Sequence, residues 1–154
     1  MKDFYKYTTQ NGRRLVKCLL QNSAAPVCYN GDIVDRESYE RLTAAYPALD
    51  AVMIGRGLLA DPFLIETLSG QAGTESRRTQ IERLSAFHQQ ILEGYCQTMS
   101  GDKNVLFKMK ELWAHLIHFD PEWEPYIKKI RKAQRLGEYK IITGQMFRER
   151  KAAL

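Results

Sequence analysis

The sequence predicts a mixed chain, α/β plus all-α and helical for most of its length, in which two βα units of a parallel sheet precede a helical bundle. Three observations carry this. Two short apolar runs, 26–29 and 51–54, each stop at a glycine-containing turn and are each followed by helix-type patterning. From residue 81 onward, apolar residues recur at helical spacing. The net charge of +5 is carried entirely by residues 101–154, because residues 1–100 hold equal numbers of acidic and basic side chains.

The elements follow in order. Residues 11–21 read as a helix with Leu15, Val16, Leu19 and Leu20 on one face. The run 27–29 reads as a buried parallel strand ending at the turn Asn30-Gly31-Asp32. Asp35 caps a helix that runs through Tyr46, with Tyr39, Leu42 and Ala45 on one face, and Pro47 ends it. A second buried strand, 51–54, ends at the loop Gly55-Arg56-Gly57. Asp61 then caps a helix with Pro62 in its first position and Phe63, Leu64 and Leu68 as apolar surface. Strand, loop, helix, strand, loop, helix implies a parallel sheet. The stretch 69–73 is the linker-like segment, so the chain divides into units 1–70 and 74–154.

The second unit is expected to be an antiparallel bundle. Its helices carry Ile81, Leu84, Phe87 or His88, Ile91 and Tyr95; then Val105, Met109, Leu112, Trp113 and Leu116; then Trp123, Tyr126, Ile127 and Ile130; then Tyr139, Ile142, Met146 and Phe147. Ser100-Gly101-Asp102 and Asp120-Pro121-Glu122 separate them.

With 44% hydrophobic and 27% charged residues, the composition excludes collagen-like and low-complexity chains. No apolar run approaches the ~18 residues a membrane span needs. Cys18, Cys28 and Cys96 are odd in number and lack C-x-x-C spacing, which suits reduced thiols in a cytoplasmic protein.

The chemistry sits at the two glycine loops. In a parallel sheet both emerge at the carboxyl ends of the strands, where ligands bind. Glycines let backbone N–H groups turn toward an anion, and Arg56 offers a charged fork suited to phosphate. Two glycine-capped loops in an ordinary sheet are the competing reading. A second candidate surface is basic: Lys128, Arg131, Lys132 and Arg135 fall at i, i+3, i+4 and i+7, one face of a continuous helix, and suit phosphates along an RNA backbone. Glu111, His115 and His118 have helical spacing but no fourth group, so no metal site is assigned. Trp113 and Trp123 read as core rather than as base-stacking platforms.

Residues 26–33 (Pro-Val-Cys-Tyr-Asn-Gly-Asp-Ile), 51–57 (Ala-Val-Met-Ile-Gly-Arg-Gly) and Asp61-Pro62 resemble the C-terminal part of the tRNA-dihydrouridine synthases. So do 104–113 (Asn-Val-Leu-Phe-Lys-Met-Lys-Glu-Leu-Trp) and 128–135 (Lys-Lys-Ile-Arg-Lys-Ala-Gln-Arg) in the helical part. The resemblance covers nearly the whole chain from Asp3. It implies the last two βα units of a TIM barrel followed by a tRNA-binding helical domain. It also implies that Asn30, Gly31, Asp32, Gly55 and Arg56 hold the phosphate end of FMN, with NADPH as the reductant. The flavin of that family reduces a uridine drawn out of the tRNA, with a cysteine as general acid.

A full barrel needs about 200 residues or more. No Gly-Cys-Pro segment of the kind that carries the acid cysteine occurs here, and none of the three cysteines is given a catalytic role. The expectation is therefore the C-terminal portion of such an enzyme, inactive alone, with tRNA as partner, no metal and no membrane. The alternative is a stand-alone RNA-binding helical module with the barrel remnant as scaffold. Two strands cannot close a barrel, so pairing of exposed strand edges in a homodimer is expected.

Overall fold

A computed structural model describes residues 10–71 and 75–154. The side chain of Leu15 and linker residues 72–73 lie outside the described residues.

The first helix, α1 (Gln10–Asn22), packs Val16 and Leu20 against a small apolar cluster, whereas Leu19 stands 52% exposed. β1 (Cys28–Asn30) and β2 (Ala51–Met53) pair in parallel, with Cys28 opposite Ala51 and Asn30 opposite Met53. They are separated by α2 (Arg36–Ala45), whose start is set by a reciprocal cap. The Ser38 N–H donates to Asp35 Oδ1 at 2.7 Å, while the Asp35 N–H donates to Ser38 Oγ at 3.2 Å. The helix stops at Ala45, one residue short of the expected end, with Tyr46 as its C-cap, and Ala45 is exposed.

The expectation of buried strands is corrected. Within the strands Tyr29 and Val52 are half-buried against the cluster of Ile33, Leu42 and Tyr46, and Val27 and Ile54 of the expected runs are half-buried as well; Cys28, Asn30, Ala51 and Met53 are exposed. The sheet has two strands, and its apolar contacts come from one face. Strands whose composition suits burial on both sides are therefore covered on one.

Two local boundaries also differ. Arg56 opens a short helix, α3 (Arg56–Ala60), rather than lying within a loop. Asp61 Oδ1 accepts from the Phe63 N–H at 2.9 Å, so residues 61–63 form a turn and α4 (Leu64–Leu68) starts after it. An Asx-type turn closed by the Asp61 side chain competes successfully with helix initiation at Pro62.

Four longer helices follow: α5 (Arg77–Thr98), α6 (Asp102–Leu116), α7 (Glu124–Lys132) and α8 (Leu136–Ala152). α5 buries Ile81, Leu84, His88 and Leu92, and leaves Phe87 42% exposed, so the polar member of the 87/88 pair lies inside. Trp113 and Trp123 meet edge to face at 5.5 Å in the centre of this core. Tyr139, Met146 and Phe147 close it from α8. Asp120, 1% exposed, sits between α6 and α7 and accepts from Arg150 Nε at 2.7 Å, with Arg77 at 3.6 Å.

The stretch 56–68 touches both clusters. Phe63 joins the helical core 5.5 Å from Phe119, with the Arg83 guanidinium over its ring at 4.7 Å. Leu68 packs on the smaller cluster beside the sheet. Arg83 also grips Glu66 of α4 at 2.5 Å.

Candidate functional site: two loops at the sheet edge and a basic surface

Because β1 and β2 run parallel and in register, Asn30 and Met53 lie side by side and both following segments leave at one edge. Asn30 is the last residue of its strand rather than part of the turn. Gly31 and Asp32 follow it, and Gly55 and Arg56 follow Met53 after Ile54. The Arg56 guanidinium donates to Asp32 Oδ1, closing a contact across 24 residues of chain. Both side chains remain more than half exposed, at 62% and 57%. Arg56 has five N–H donors and spends one on Asp32, so its fork retains donors for an anion.

Glycine is demanded here at position 57 rather than 55. A Cβ on Gly57 would lie 2.1 Å from the Ile33 carbonyl oxygen, whereas one on Gly55 would meet nothing within 4 Å. The close approach of α3 to the backbone after β1 is what brings Arg56 beside Asp32. A Cβ on Gly31 would fall 2.3 Å from the Tyr29 hydroxyl, because that side chain lies over the turn. Burial, then the Asp32 charge, pushes the Tyr29 phenol up, which keeps it a neutral donor. Tyr29 was not a site candidate from sequence. Its position two residues before Gly31, on the same side of the strand, was the available signal.

The basic surface is only partly a helical stripe. Lys128, Arg131 and Lys132 are exposed on α7, but the helix ends at Lys132, and Arg135 is the residue that precedes α8. The expected four-residue face is therefore corrected to three residues plus one on the next element. The break is stabilised by Lys110 of α6, whose ammonium donates to the carbonyls of Arg131 at 2.9 Å and Ala133 at 2.5 Å. Lys128 lies 3.6 Å from Glu124; Arg131, Lys132 and Arg135 enter no ion pair among the described residues.

Trp113 and Trp123 are each 1% exposed and so present no face to a base. His118 falls in a 3-10 turn (Ile117–Phe119) beyond the end of α6, off the helix that carries Glu111 and His115. No metal-holding group of three His, Cys, Asp or Glu forms among the described residues. Cys18, Cys28 and Cys96 are free and exposed. No helix among the described residues is long and apolar enough to cross a membrane.

A family model described as dihydrouridine synthase (Dus) matches residues 5–149. No curated protein matches the chain.

Proposed function

This chain belongs to the dihydrouridine synthase family, and from that premise we propose that it is the C-terminal portion of an FMN-dependent tRNA-dihydrouridine synthase. The observation that carries the reading is the family match across residues 5–149. In this reading β1 and β2 with their helices are the last two βα units of a TIM barrel, within residues 1–70, and residues 74–154 form the tRNA-binding domain. The sheet geometry supports it, since strands of this composition are built for cover that one layer of helices does not give.

The residues at the loop ends fit a phosphate monoester. Arg56 and the Gly31–Asp32 and Gly55 backbone lie at one sheet edge, and the Arg56 fork keeps unspent donors. Asn30, Gly31, Asp32, Gly55 and Arg56 would hold the phosphate end of FMN. When bound, FMN supplies hydride chemistry, with NADPH as the family's reductant. This chain's own residues bind and orient: Arg56 neutralises charge, Asp32 fixes the Arg56 side chain, and Tyr29 fills the turn beside Gly31. The general-acid cysteine is not among the three present, so this chain supplies binding rather than chemistry. Lys128, Arg131, Lys132 and Arg135 would meet tRNA phosphates.

A second reading, a stand-alone RNA-binding helical module, is favoured by one observation: among the described residues, the buried helical core runs from Ile81 to Phe147 and draws Phe63 alone from outside that stretch. Titrating the chain with FMN and with unmodified tRNA separates the two. Flavin fluorescence quenching together with tRNA binding supports the first. Binding of tRNA without flavin supports the second, and binding of neither overturns both.

A further inference from the structure

α6 turns Val105, Met109, Trp113 and Leu116 into the core, and Phe107 occupies the opposite side of the helix. Its ring is 67% exposed, the most exposed of the described phenylalanines. A single exposed apolar side chain is ordinary; the neighbours set this one apart. Lys103 and Lys110 lie at i−4 and i+3, so Phe107 stands between two cations on one strip of α6. Lys110 fixes where that strip lies. Its ammonium donates to the carbonyls of Arg131 and Ala133, so the strip runs beside the end of α7, where Arg131 and Lys132 are exposed and Arg135 follows. Lys103, Arg131, Lys132 and Arg135 enter no ion pair among the described residues. Ile141, 71% exposed on α8, gives the contrast: its i±3 and i±4 neighbours are Glu138, Gly144, Gly137 and Gln145, none of them a cation. The Lys108 ammonium lies 5.9 Å from the Phe107 ring centroid, at the outer limit of a cation–π contact, and is held by Glu111 at 2.8 Å. Most of the ring is therefore open to a ligand.

We propose that Phe107 is a stacking platform for an unpaired RNA nucleobase whose flanking phosphates lie on the basic surface of α7 and Arg135. This rests on the tRNA-binding reading above and adds a base contact to a surface otherwise suited to phosphates alone. A nucleotide has a flat apolar face and an anionic backbone, and an exposed aromatic ring beside unpaired cations matches both. Stacking tolerates any base, because every base has a π-face. It requires a base free of its own stack, so Phe107 favours a loop, bulge or end over a duplex. A second copy of this chain fits the strip less well, since a symmetric contact through Phe107 would set cation against cation.

The test uses the full chain with unmodified tRNA and with a short oligouridylate. Phe107→Ala should weaken tRNA binding by roughly five- to a hundredfold. The slope of log affinity against log salt should stay unchanged, because stacking releases no counterions. Phe107→Leu keeps an apolar side chain without a π-face and should lose affinity too, whereas Phe107→Trp should retain it. Trp113 and Trp123 are buried, so the new indole of Phe107→Trp reports by itself. Its fluorescence should be quenched saturably by the oligouridylate and not by inorganic phosphate. Unchanged tRNA affinity in Phe107→Ala, full affinity in Phe107→Leu, or no quenching in Phe107→Trp overturns the inference. So does loss of self-association in Phe107→Ala at unchanged RNA affinity, which would assign the ring to a second copy. The two readings fail separately. If tRNA binds and Phe107→Ala does not weaken it, the platform falls and the function stands. If the oligouridylate quenches Phe107→Trp while tRNA does not bind, the function falls and the platform stands.

Discussion

The Tyr139 hydroxyl meets His88 Nε2 at 2.6 Å, joining α8 to α5 inside the helical core; Trp113 Nε1 only donates to that oxygen, so the phenol proton goes to the imidazole. Trp113 donates to the same oxygen from α6, so a single phenol ties three helices. Burial pushes the His88 imidazole down to about 4 from 6.5 and raises the Tyr139 phenol, so both are neutral wherever the chain is folded at ordinary pH.

That neutrality has a pH signature. Below about pH 6.5 the unfolded chain takes up a proton at this histidine, whereas the folded chain does not until about pH 4. The contribution is complete above about pH 6.5. It is lost at ~1.4 kcal/mol per unit as pH falls toward 4, roughly 3 kcal/mol in all. Urea unfolding of the chain and of His88→Gln at pH 7, 6 and 5 checks this. The variant should lose less stability on acidification, and parallel pH slopes would exclude the assignment.

Asp120 and Arg150 should respond asymmetrically to mutation. Removing Arg150 leaves a carboxylate that is 1% exposed with the Glu122 N–H and, as its one cation among the described residues, the more distant Arg77, whereas Asp120→Asn leaves cations that can reach water. Arg150→Ala is expected to cost about 3 kcal/mol and Asp120→Asn about 1 kcal/mol. Equal costs in chemical denaturation would mean that Asp120 is not effectively desolvated.

The two glycines before and within α3 should also part company. Gly57→Ala drives a methyl into the Ile33 carbonyl and should cost about 1–3 kcal/mol, read as lost hydrogen-exchange protection in residues 28–33 and 51–60. Gly55→Ala should leave protection unchanged. Identical behaviour of the two would contradict the close approach of α3 to the backbone after β1.

Arg56→Ala should weaken FMN binding by about tenfold or more, the loss of one charge-assisted partner. Asp32→Asn keeps the side chain's shape but loosens the hold on Arg56, and should weaken binding by less than Arg56→Ala does. Fluorescence titration decides, and unchanged affinity in Arg56→Ala would remove it from the phosphate site.

On the basic surface, Lys128→Ala, Arg131→Ala and Lys132→Ala should each lower the slope of log affinity for tRNA against log salt by up to about 0.9 for every phosphate that the variant no longer neutralises. Arg135→Ala tests a different element, and its effect should add independently because it lies off α7. A slope unchanged in all four variants would make the surface merely solvated.

Local signals were legible where one stretch of chain contains its own physics. Asp35 and Ser38 set a helix start by a reciprocal cap within four residues, and the spacing of Val105, Met109, Trp113 and Leu116 marks a buried helical face whatever surrounds it. The motifs at 30–32 and 55–57 were likewise readable, together with the family they resemble. Partners distant in sequence were not readable. The choice of His88 over Phe87 for the core depended on a phenol 51 residues away that could satisfy the ring nitrogen. The end of α7 at Lys132, which takes Arg135 off the stripe, depended on Lys110 reaching two carbonyls from another helix. The exposure of β1 and β2 was set by how many neighbours the sheet has, since the same apolar run is buried between two layers and half-covered beside one. Periodicity and caps are short-range and therefore written in the sequence; polar satisfaction and burial are long-range sums over the assembled fold, and only the tertiary structure decided them.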